Sequence, residues 1–185
     1  MSQRILSVLL ALTLLIGASF AHAEIKKGDT LQTRVNLHPD PERKTLSTIN
    51  YQLSGDLIAA CTTVTVNDIN RKRLVFTANG TEYTLAYDKN TRKAGVEFPE
   101  IVSSFFGDSC DQAKINSLSK ADKDGIKSGT AAVGMSKDGV LIAMGPPPVH
   151  ATSSLDNNEW MYWVNRFNRQ RIEFNDKGIV TAVVN

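Results

Sequence analysis

Very few side chains in this sequence have the type and spacing that catalysis or metal binding requires. The candidates are two cysteines, Cys61 and Cys110, and two histidines, His38 and His150. A cysteine nucleophile needs a histidine nearby in space, and nothing local in the sequence supports such a pair. Neither histidine belongs to a metal-ligand spacing, and the serine-hydrolase elbow, the zinc-protease histidine pair and the Walker loop are missing from the sequence. We therefore expect a protein that is not an enzyme and has no metal and no cofactor.

Residues 1–23 have the organisation of a secretory signal peptide. Arg4 precedes an apolar run over residues 5–16, and Ala21-His22-Ala23 is a small-x-small cleavage site. An uncleaved membrane anchor is the less favoured alternative, because a spanning helix needs roughly 20 apolar residues. No cysteine stands directly after the cleavage site, which argues against a lipid anchor. We expect a soluble, exported protein that is not lipid-anchored.

Charge and composition exclude several functional classes. The formal net charge is only +2 at pH 7, whereas nucleic-acid binders are normally clearly basic. The hydrophobic fraction of 42% and the charged fraction of 22% lie near globular averages, which argues against disorder and against a polytopic membrane protein. No segment after the signal peptide is long and apolar enough to predict a transmembrane helix. We therefore expect that the protein does not bind nucleic acid and has no transmembrane segment after the signal peptide is removed.

The two cysteines are candidates for a disulfide, since an oxidising compartment allows Cys61 and Cys110 to pair. In the chain-entropy model, closing a loop of about 50 residues stabilises the fold by roughly 4 kcal/mol. Two separate buried thiols are the alternative.

Residues 24–92 have the pattern of a small β-rich domain. The clearest element is a hairpin of residues 73–78 and 81–87, in which Asn79-Gly80 favours a type I′ turn because both central positions need positive φ. Its alternate apolar residues are expected to face a core. The other predicted strands are 30–37, 45–53 and 62–69. Several short strands at close spacing predict a small barrel.

Residues 93–116 are predicted to be a helical connector, with a short helix that begins at Pro99 and ends at Gly107. Within residues 117–185, Ser119 and Ser136 are helix N-cap types, and they predict helices over residues 120–128 and 137–144. The mixed charges of the first of these helices suggest a solvated face. Three strands joined by short turns are predicted over residues 160–167, 171–175 and 179–184. Short connections imply an antiparallel meander with a helix covering one face.

Several short motifs follow one another in this C-terminal part. They are Val133-Gly134-Met135-Ser136-Lys137, Gly145-Pro146-Pro147, Trp160-Met161-Tyr162, Ile172-Glu173-Phe174 and Lys177-Gly178-Ile179-Val180. In this order and spacing, residues 117–185 resemble the BamE (SmpA/OmlA) family of the outer-membrane assembly machinery. Through residues 62–67 and the Asn79-Gly80 hairpin, the N-terminal half is more weakly similar to bacterial SH3-like barrels. The expected fold class is therefore α+β, with a small SH3-like β-barrel followed by a two-layer BamE-like module.

The resemblance to BamE implies a non-enzymatic envelope protein that works through contacts with other proteins and with anionic lipid headgroups. The chain differs from that family because it lacks the lipidated cysteine and carries an additional β-rich half. Together with the signal peptide, the resemblance implies a periplasmic location. We interpret the chain as an adaptor in cell-envelope or outer-membrane assembly or maintenance. The alternatives are binding of peptidoglycan through the SH3-like half, and a secreted protein inhibitor.

The first strand of the meander is the main candidate for a partner-binding surface. One face carries Trp160, Tyr162 and Val164, and the other carries Met161, Trp163 and Phe167. Since a helix-covered sheet needs only one apolar face, the second face either packs on the N-terminal barrel or contacts a partner. Exposed tryptophan and tyrosine are frequent anchors of interfaces, so Trp160, Tyr162 and Trp163 are candidate partner-binding residues.

Three arginines, Arg166, Arg169 and Arg171, surround the first turn of the meander. Such a cluster could receive an anionic headgroup or an acidic partner. The alternative is a solvated hairpin in which Glu159 and Glu173 offset the positive charge.

Overall fold

The computed structural model describes residues 24–53 and 55–185, so the predicted signal peptide lies outside the described residues. The first sheet contains β1 (Thr30–Thr33), β2 (Thr45–Ser47), β3 (Thr63–Asn70), β4 (Arg73–Ala78), β5 (Thr81–Ala86) and β6 (Phe106–Gly107). The helices are α1 (Lys89–Lys93), α2 (Phe98–Phe105), α3 (Gln112–Ser117), α4 (Lys120–Ser128) and α5 (Lys137–Met144). The second sheet contains β7 (Glu159–Trp163), β8 (Arg169–Phe174) and β9 (Val180–Val184).

The protein is a mixed α+β structure, as predicted, with one curled sheet and one small meander. The strand order in the first sheet is β2-β5-β4-β3-β1-β6, with antiparallel pairs except for β2 and β5, which run parallel. A register shift between Val66 and Asp68 interrupts the pairing of β3 with β4. The SH3-like and BamE-like arrangements stay predictions.

The β4–β5 hairpin follows directly from its turn residues. Asn79 has φ of 49° and Gly80 has φ of 77°, the positive values that a type I′ turn needs. The predicted inward positions are buried, and they are Leu74, Phe76, Tyr83 and Leu85, with Tyr87 partly buried against them. Phe76 packs on Tyr83 across the hairpin, with ring centroids 5.7 Å apart.

Helix α2 belongs to the first core rather than merely connecting two halves. Its apolar face buries Phe98, Ile101, Val102 and Phe105 in the same cluster as the side chains of the sheet. The expectation that Gly107 ends this helix is wrong, because Gly107 lies in β6 and pairs with Gln32 of β1. A Cβ at Gly107 would meet the guanidinium group of Arg34, which is the flexible end of an exposed side chain and can move away, so this contact does not by itself require glycine. The predicted boundaries of the connector stay predictions.

Two helices, α4 and α5, cover one face of the antiparallel meander β7-β8-β9. Its central pairs place Trp160 opposite Ile172, and Ile172 opposite Val183. The second core lies between the helices and this sheet, and its largest fully buried members are Trp160, Tyr162, Met135, Met144 and Ile172. This part therefore combines helices with an antiparallel meander.

A buried carboxylate links the N-terminal ends of α4 and α5. Ser119 caps α4 and Ser136 caps α5, as predicted. Asp122, however, is only 2% exposed, so the predicted solvated face does not include it. Its Oδ2 accepts hydrogen bonds from the backbone N–H and hydroxyl of Ser119, and its Oδ1 accepts from the N–H and hydroxyl of Ser136. A Cβ at Gly139 would collide with this carboxylate, which explains the glycine in the first turn of α5.

Cys61 and Cys110 are paired, with their Cα atoms 5.1 Å apart, which confirms the predicted cysteine pair at disulfide distance. Both cysteines are also held against β1, since Cys61 N–H donates to the carbonyl of Thr33 and Cys110 N–H donates to Oε1 of Gln32. Within residues 24–53 and 55–185, no helix has the length and apolar character needed to cross a bilayer.

Candidate functional site

The side chains of β7 alternate between two environments. Trp160 and Tyr162 face α5 and are completely buried. The Tyr162 hydroxyl donates to the carbonyl of Gly145 at 2.9 Å, and burial raises the pKa of Tyr162 well above its usual value. Trp160 Nε1 donates to the carbonyl of Leu155 at 3.3 Å. The prediction that Trp160 and Tyr162 contact a partner is therefore wrong, because the second core already encloses both rings.

Trp163 points to the opposite side of β7 and is half-buried. Its ring stacks on His150, with centroids 6.2 Å apart, and the guanidinium carbon of Arg169 lies 4.5 Å from the ring centroid. Trp163 Nε1 is buried and has no acceptor among the described residues. The backbone of this residue contacts the N-terminal half, because Gln52 N–H donates to the Trp163 carbonyl at 2.8 Å. The second face of β7 is thus covered in part, by the loop that carries His150.

The three arginines near the β7–β8 turn differ in their ion pairs. Arg171 pairs with Glu173 at 2.9 Å and with Glu159 at 3.6 Å. Its charge is therefore offset, so the prediction that Arg171 serves a partner is not supported by this geometry. Arg166 and Arg169 are exposed and belong to no ion pair within the described part of the chain.

Phe167 is the most exposed large hydrophobic residue of this turn, with 73% of its surface accessible. The guanidinium carbon of Arg166 lies 4.4 Å from its ring centroid. Aromatic residues, phenylalanine among them, are enriched in protein interfaces, and arginine is enriched in their hot spots. We call Phe167, Arg166 and Arg169 the hairpin surface.

The chain has a first half, which builds the first core, and a second half, which builds the second core. A groove of about 790 Å³ runs from the hairpin surface to the boundary between these halves. Its walls include Gln52 and Leu57 from the first half, and Met144, Phe167, Arg169 and Gln170 from the second. The volume lies in the range of ligand-sized clefts. Asp56 also lines the groove, but it forms an ion pair with Lys44.

Beside this groove, polar side chains of the first half bind the carbonyl groups at the C-terminal end of α5. We call these side chains, Asn36, His38, Asn50 and Gln52, the seam. Asn36 Nδ2 donates to the carbonyls of Ala143 at 3.2 Å and of Ile126 at 2.7 Å. Asn50 Nδ2 and Gln52 Nε2 both donate to the carbonyl of Met144. The last carbonyls of a helix have no partner within the helix, so the seam supplies what α5 lacks.

His38 contributes to the seam as a donor. Its Nε2 lies 3.1 Å from the carbonyl of Ala143, and since a carbonyl only accepts, Nε2 carries the proton. Burial lowers the pKa of His38 from its usual value of 6.5, and the hydrogen bond to Ala143 opposes this shift only in part. His38 is therefore held in its neutral form as a structural donor.

Gln52 joins the seam to the groove. Its Nε2 faces two carbonyl groups, those of Asn50 at 2.8 Å and Met144 at 2.9 Å, which fixes the orientation of the carboxamide. The other carboxamide atom, Oε1, is buried and has no hydrogen-bond donor among the described residues. A buried acceptor without a donor is costly, and since Oε1 has almost no accessible surface, a molecule in the groove would reach it only after the carboxamide moved.

The seam residues were not recognised as functional from the sequence. One signal was present: Asn36 and His38, like Asn50 and Gln52, are polar residues two positions apart in segments of apolar character. Alternation in an extended segment places the first pair on one side of the chain, whereas Asn50 has φ of 54°, so a turn arranges the second pair. Which carbonyls they meet is decided more than 90 residues away, and no local pattern records it.

Both cysteine thiols are in the disulfide, and His38 Nε2 is held by a carbonyl, so the predicted candidates form no nucleophile–base pair. Within residues 24–53 and 55–185, no group of three or more histidine, cysteine or carboxylate side chains is placed to hold a metal ion. What the geometry does provide is a groove lined by an exposed aromatic ring, Phe167, and a cation, Arg169.

Comparisons with family models, with curated proteins and with solved structures give no match for this chain. The interpretation of the site therefore depends on its own geometry.

Proposed function

We propose that this chain is a non-catalytic, exported protein-interaction module that acts as an adaptor in cell-envelope or outer-membrane assembly or maintenance. The observation that carries the proposal is the groove between the two halves, bordered by Phe167 and Arg169. An exposed aromatic ring and an unpaired arginine at the mouth of a concave surface are typical of protein-binding sites.

The N-terminal sequence supports the location. Residues 1–23 have a signal-peptide pattern, and the pairing of Cys61 with Cys110 suits an oxidising compartment. The resemblance of residues 117–185 to the BamE family supports a role in the outer envelope. It also supports a mechanism of contact rather than of catalysis.

Site-specific photocrosslinking in intact cells tests this proposal. A photoreactive amino acid at position 167 should form a discrete adduct with a protein partner, and the Arg169→Gln change should reduce its yield. The matched control is position 155, because Leu155 is also an exposed apolar residue, at 46% accessibility, and does not line the groove. Equal adducts at both positions, or none at 167, would contradict the proposal.

Sedimentation with isolated peptidoglycan separates the adaptor from the cell-wall alternative. The adaptor proposal expects the oxidised protein to stay in the supernatant. Retention on peptidoglycan that is lost through changes within residues 24–92 would instead favour binding of the cell wall by the first half.

A further inference from the structure

The geometry points to one class of occupant for the groove: an extended peptide segment of a partner protein that carries a carboxylate next to an apolar side chain. This inference rests on the proposed function and specifies the ligand of the same site. Three properties of the groove support this class of ligand, and they are its charge, its exposed ring and its concave shape.

The charge of the groove favours an anionic ligand. Arg169 lines the groove, Arg166 lies on the same turn, and neither belongs to an ion pair within residues 24–53 and 55–185. The nearby acid Asp56 is already paired with Lys44, so it does not cancel them. A guanidinium group receives a carboxylate through paired N–H···O bonds, which gives direction as well as attraction.

The exposed ring favours an apolar side chain beside that carboxylate. Phe167 lines the groove with 73% of its surface exposed, and the partly exposed Leu57 lines it from the first half. Covering such a ring with an apolar side chain removes apolar surface from water, which favours binding. The ligand therefore combines a charge and an apolar group at adjacent positions.

The shape of the groove favours a peptide over a lipid surface. The groove is concave, with walls from both halves, and an extended chain can enter it whereas a flat bilayer surface cannot. The exposed amide side chain of Asn168 also lines the groove and can pair with a main chain, whereas Nε2 of Gln170 already donates to Oδ1 of Asn185 at 2.8 Å. An extended segment presents N–H and C=O groups at regular intervals, so it can pair with such an amide.

Fluorescence anisotropy with defined peptides tests the inference on the purified, oxidised protein. The probe is an eight-residue peptide of alternating phenylalanine and glutamate with blocked ends. One comparison peptide has lysine in place of glutamate, and the other has serine in place of phenylalanine. We expect the acidic, apolar peptide to bind about tenfold more tightly than either comparison peptide, and to bind more weakly as salt is raised.

Two pairs of variants locate the binding. Arg169→Gln should weaken binding of the probe about tenfold. Lys177→Gln should leave the binding unchanged, because Lys177 is an exposed cation in the turn at the other end of the meander. Phe167→Ser should weaken it, whereas Leu155→Ser should not. Equal binding of the lysine peptide, or equal effects within either pair, overturns the inference.

The outcomes separate this inference from the proposed function. If position 167 crosslinks to a protein but the acidic, apolar peptide does not bind, the ligand class is wrong and the adaptor function stands. If the peptide fails and phosphatidylglycerol vesicles bind in a manner that Arg169→Gln abolishes, the occupant is an anionic lipid surface. If crosslinking and peptide binding both fail, the proposed function falls with the inference.

Discussion

The two ends of helix α5 are stabilised by different parts of the chain. At the N-terminal end, Ser136 caps the helix, and Asp122 from the preceding helix binds Ser136 through two hydrogen bonds of 2.6 and 3.0 Å. At the C-terminal end, the carbonyls of Ala143 and Met144 accept hydrogen bonds from side chains of the first half. One end is thus completed within 14 residues of sequence, and the other across 92 to 107 residues.

This difference explains how two separate hydrophobic clusters form one structure. Each half has its own core. At the seam, polar hydrogen bonds to the end of a helix join them, with no shared apolar layer required. Because hydrogen bonds need specific geometry, such a junction fixes the relative position of the groove walls more closely than apolar packing would.

The largest expected loss of stability comes from a change at the N-terminal end of α5. Asp122→Ala removes a buried acceptor of four hydrogen bonds and leaves the N–H and hydroxyl of the partly buried Ser136 without that partner. We expect the free energy of unfolding to fall by about 3 kcal/mol in urea titrations. Asp124→Ala, at an exposed ion pair with Lys120, should cost less than about 0.5 kcal/mol. Similar losses for the two variants would show that the Asp122 network contributes little.

The second-largest loss of stability is expected from a change in the seam. Asn36→Ala removes two hydrogen bonds to the helix carbonyls and the acceptor for the N–H of Ala60. We expect a loss of about 2 kcal/mol, with faster amide hydrogen exchange at the C-terminal end of α5. Asn116→Ala on exposed α3 is the matched control and should change neither quantity. Exchange that rises only within the first half would show that the seam does not join the halves.

A smaller effect should depend on pH. The pKa of His38 is lowered by burial, so below about pH 6.5 the unfolded chain binds more protons than the folded chain. The contribution of neutral His38 to the free energy of unfolding is therefore fully present above about pH 6.5 and is lost as the pH falls below that value. Urea titrations across this range should show the decline in the parent protein and in His150→Gln, since His150 is exposed, but not in His38→Gln. A decline that persists in His38→Gln would assign it to other groups.

The smallest effect on stability is expected at the hairpin surface. Phe167 is mostly exposed, so Phe167→Ser should change the free energy of unfolding by less than about 0.5 kcal/mol. Trp163→Ala should cost more, because its ring is half-buried against His150 and Arg169. Thermal unfolding of both variants checks this order, and a large loss for Phe167→Ser would indicate that the turn serves packing rather than binding.

The parts of the fold that local rules determine could be predicted from the sequence. The Asn79-Gly80 turn, the caps at Ser119 and Ser136 and the alternation along β7 each depend on a few neighbouring residues. Asp122 could not be distinguished in this way from the exposed Asp124, because the same charged run contains both. Its burial depends on Ser136, which another segment brings into contact with it.

The candidate site was predictable only in part. The sequence pointed to Trp163, Arg166 and Arg169 near one turn, but it did not separate them from Arg171, whose charge is offset by two glutamates. It also did not show which face of β7 the helices would cover, and this decided the burial of Trp160 and Tyr162. The opposite wall of the groove comes from Gln52 in a distant segment, so no local pattern could place it.

The long separations at the seam have a consequence for the order in which the chain can fold. The donors Asn36, His38, Asn50 and Gln52 precede their acceptors in the sequence, so a chain that emerges from its N-terminus presents the donors first. The cysteine pair, 49 residues apart, can also close before α5 exists. Contacts of high sequence separation slow folding, and we expect closure of the seam to be the last step. In this order of folding, the donor side chains of the first half are already in place when the C-terminal end of α5 forms and binds them.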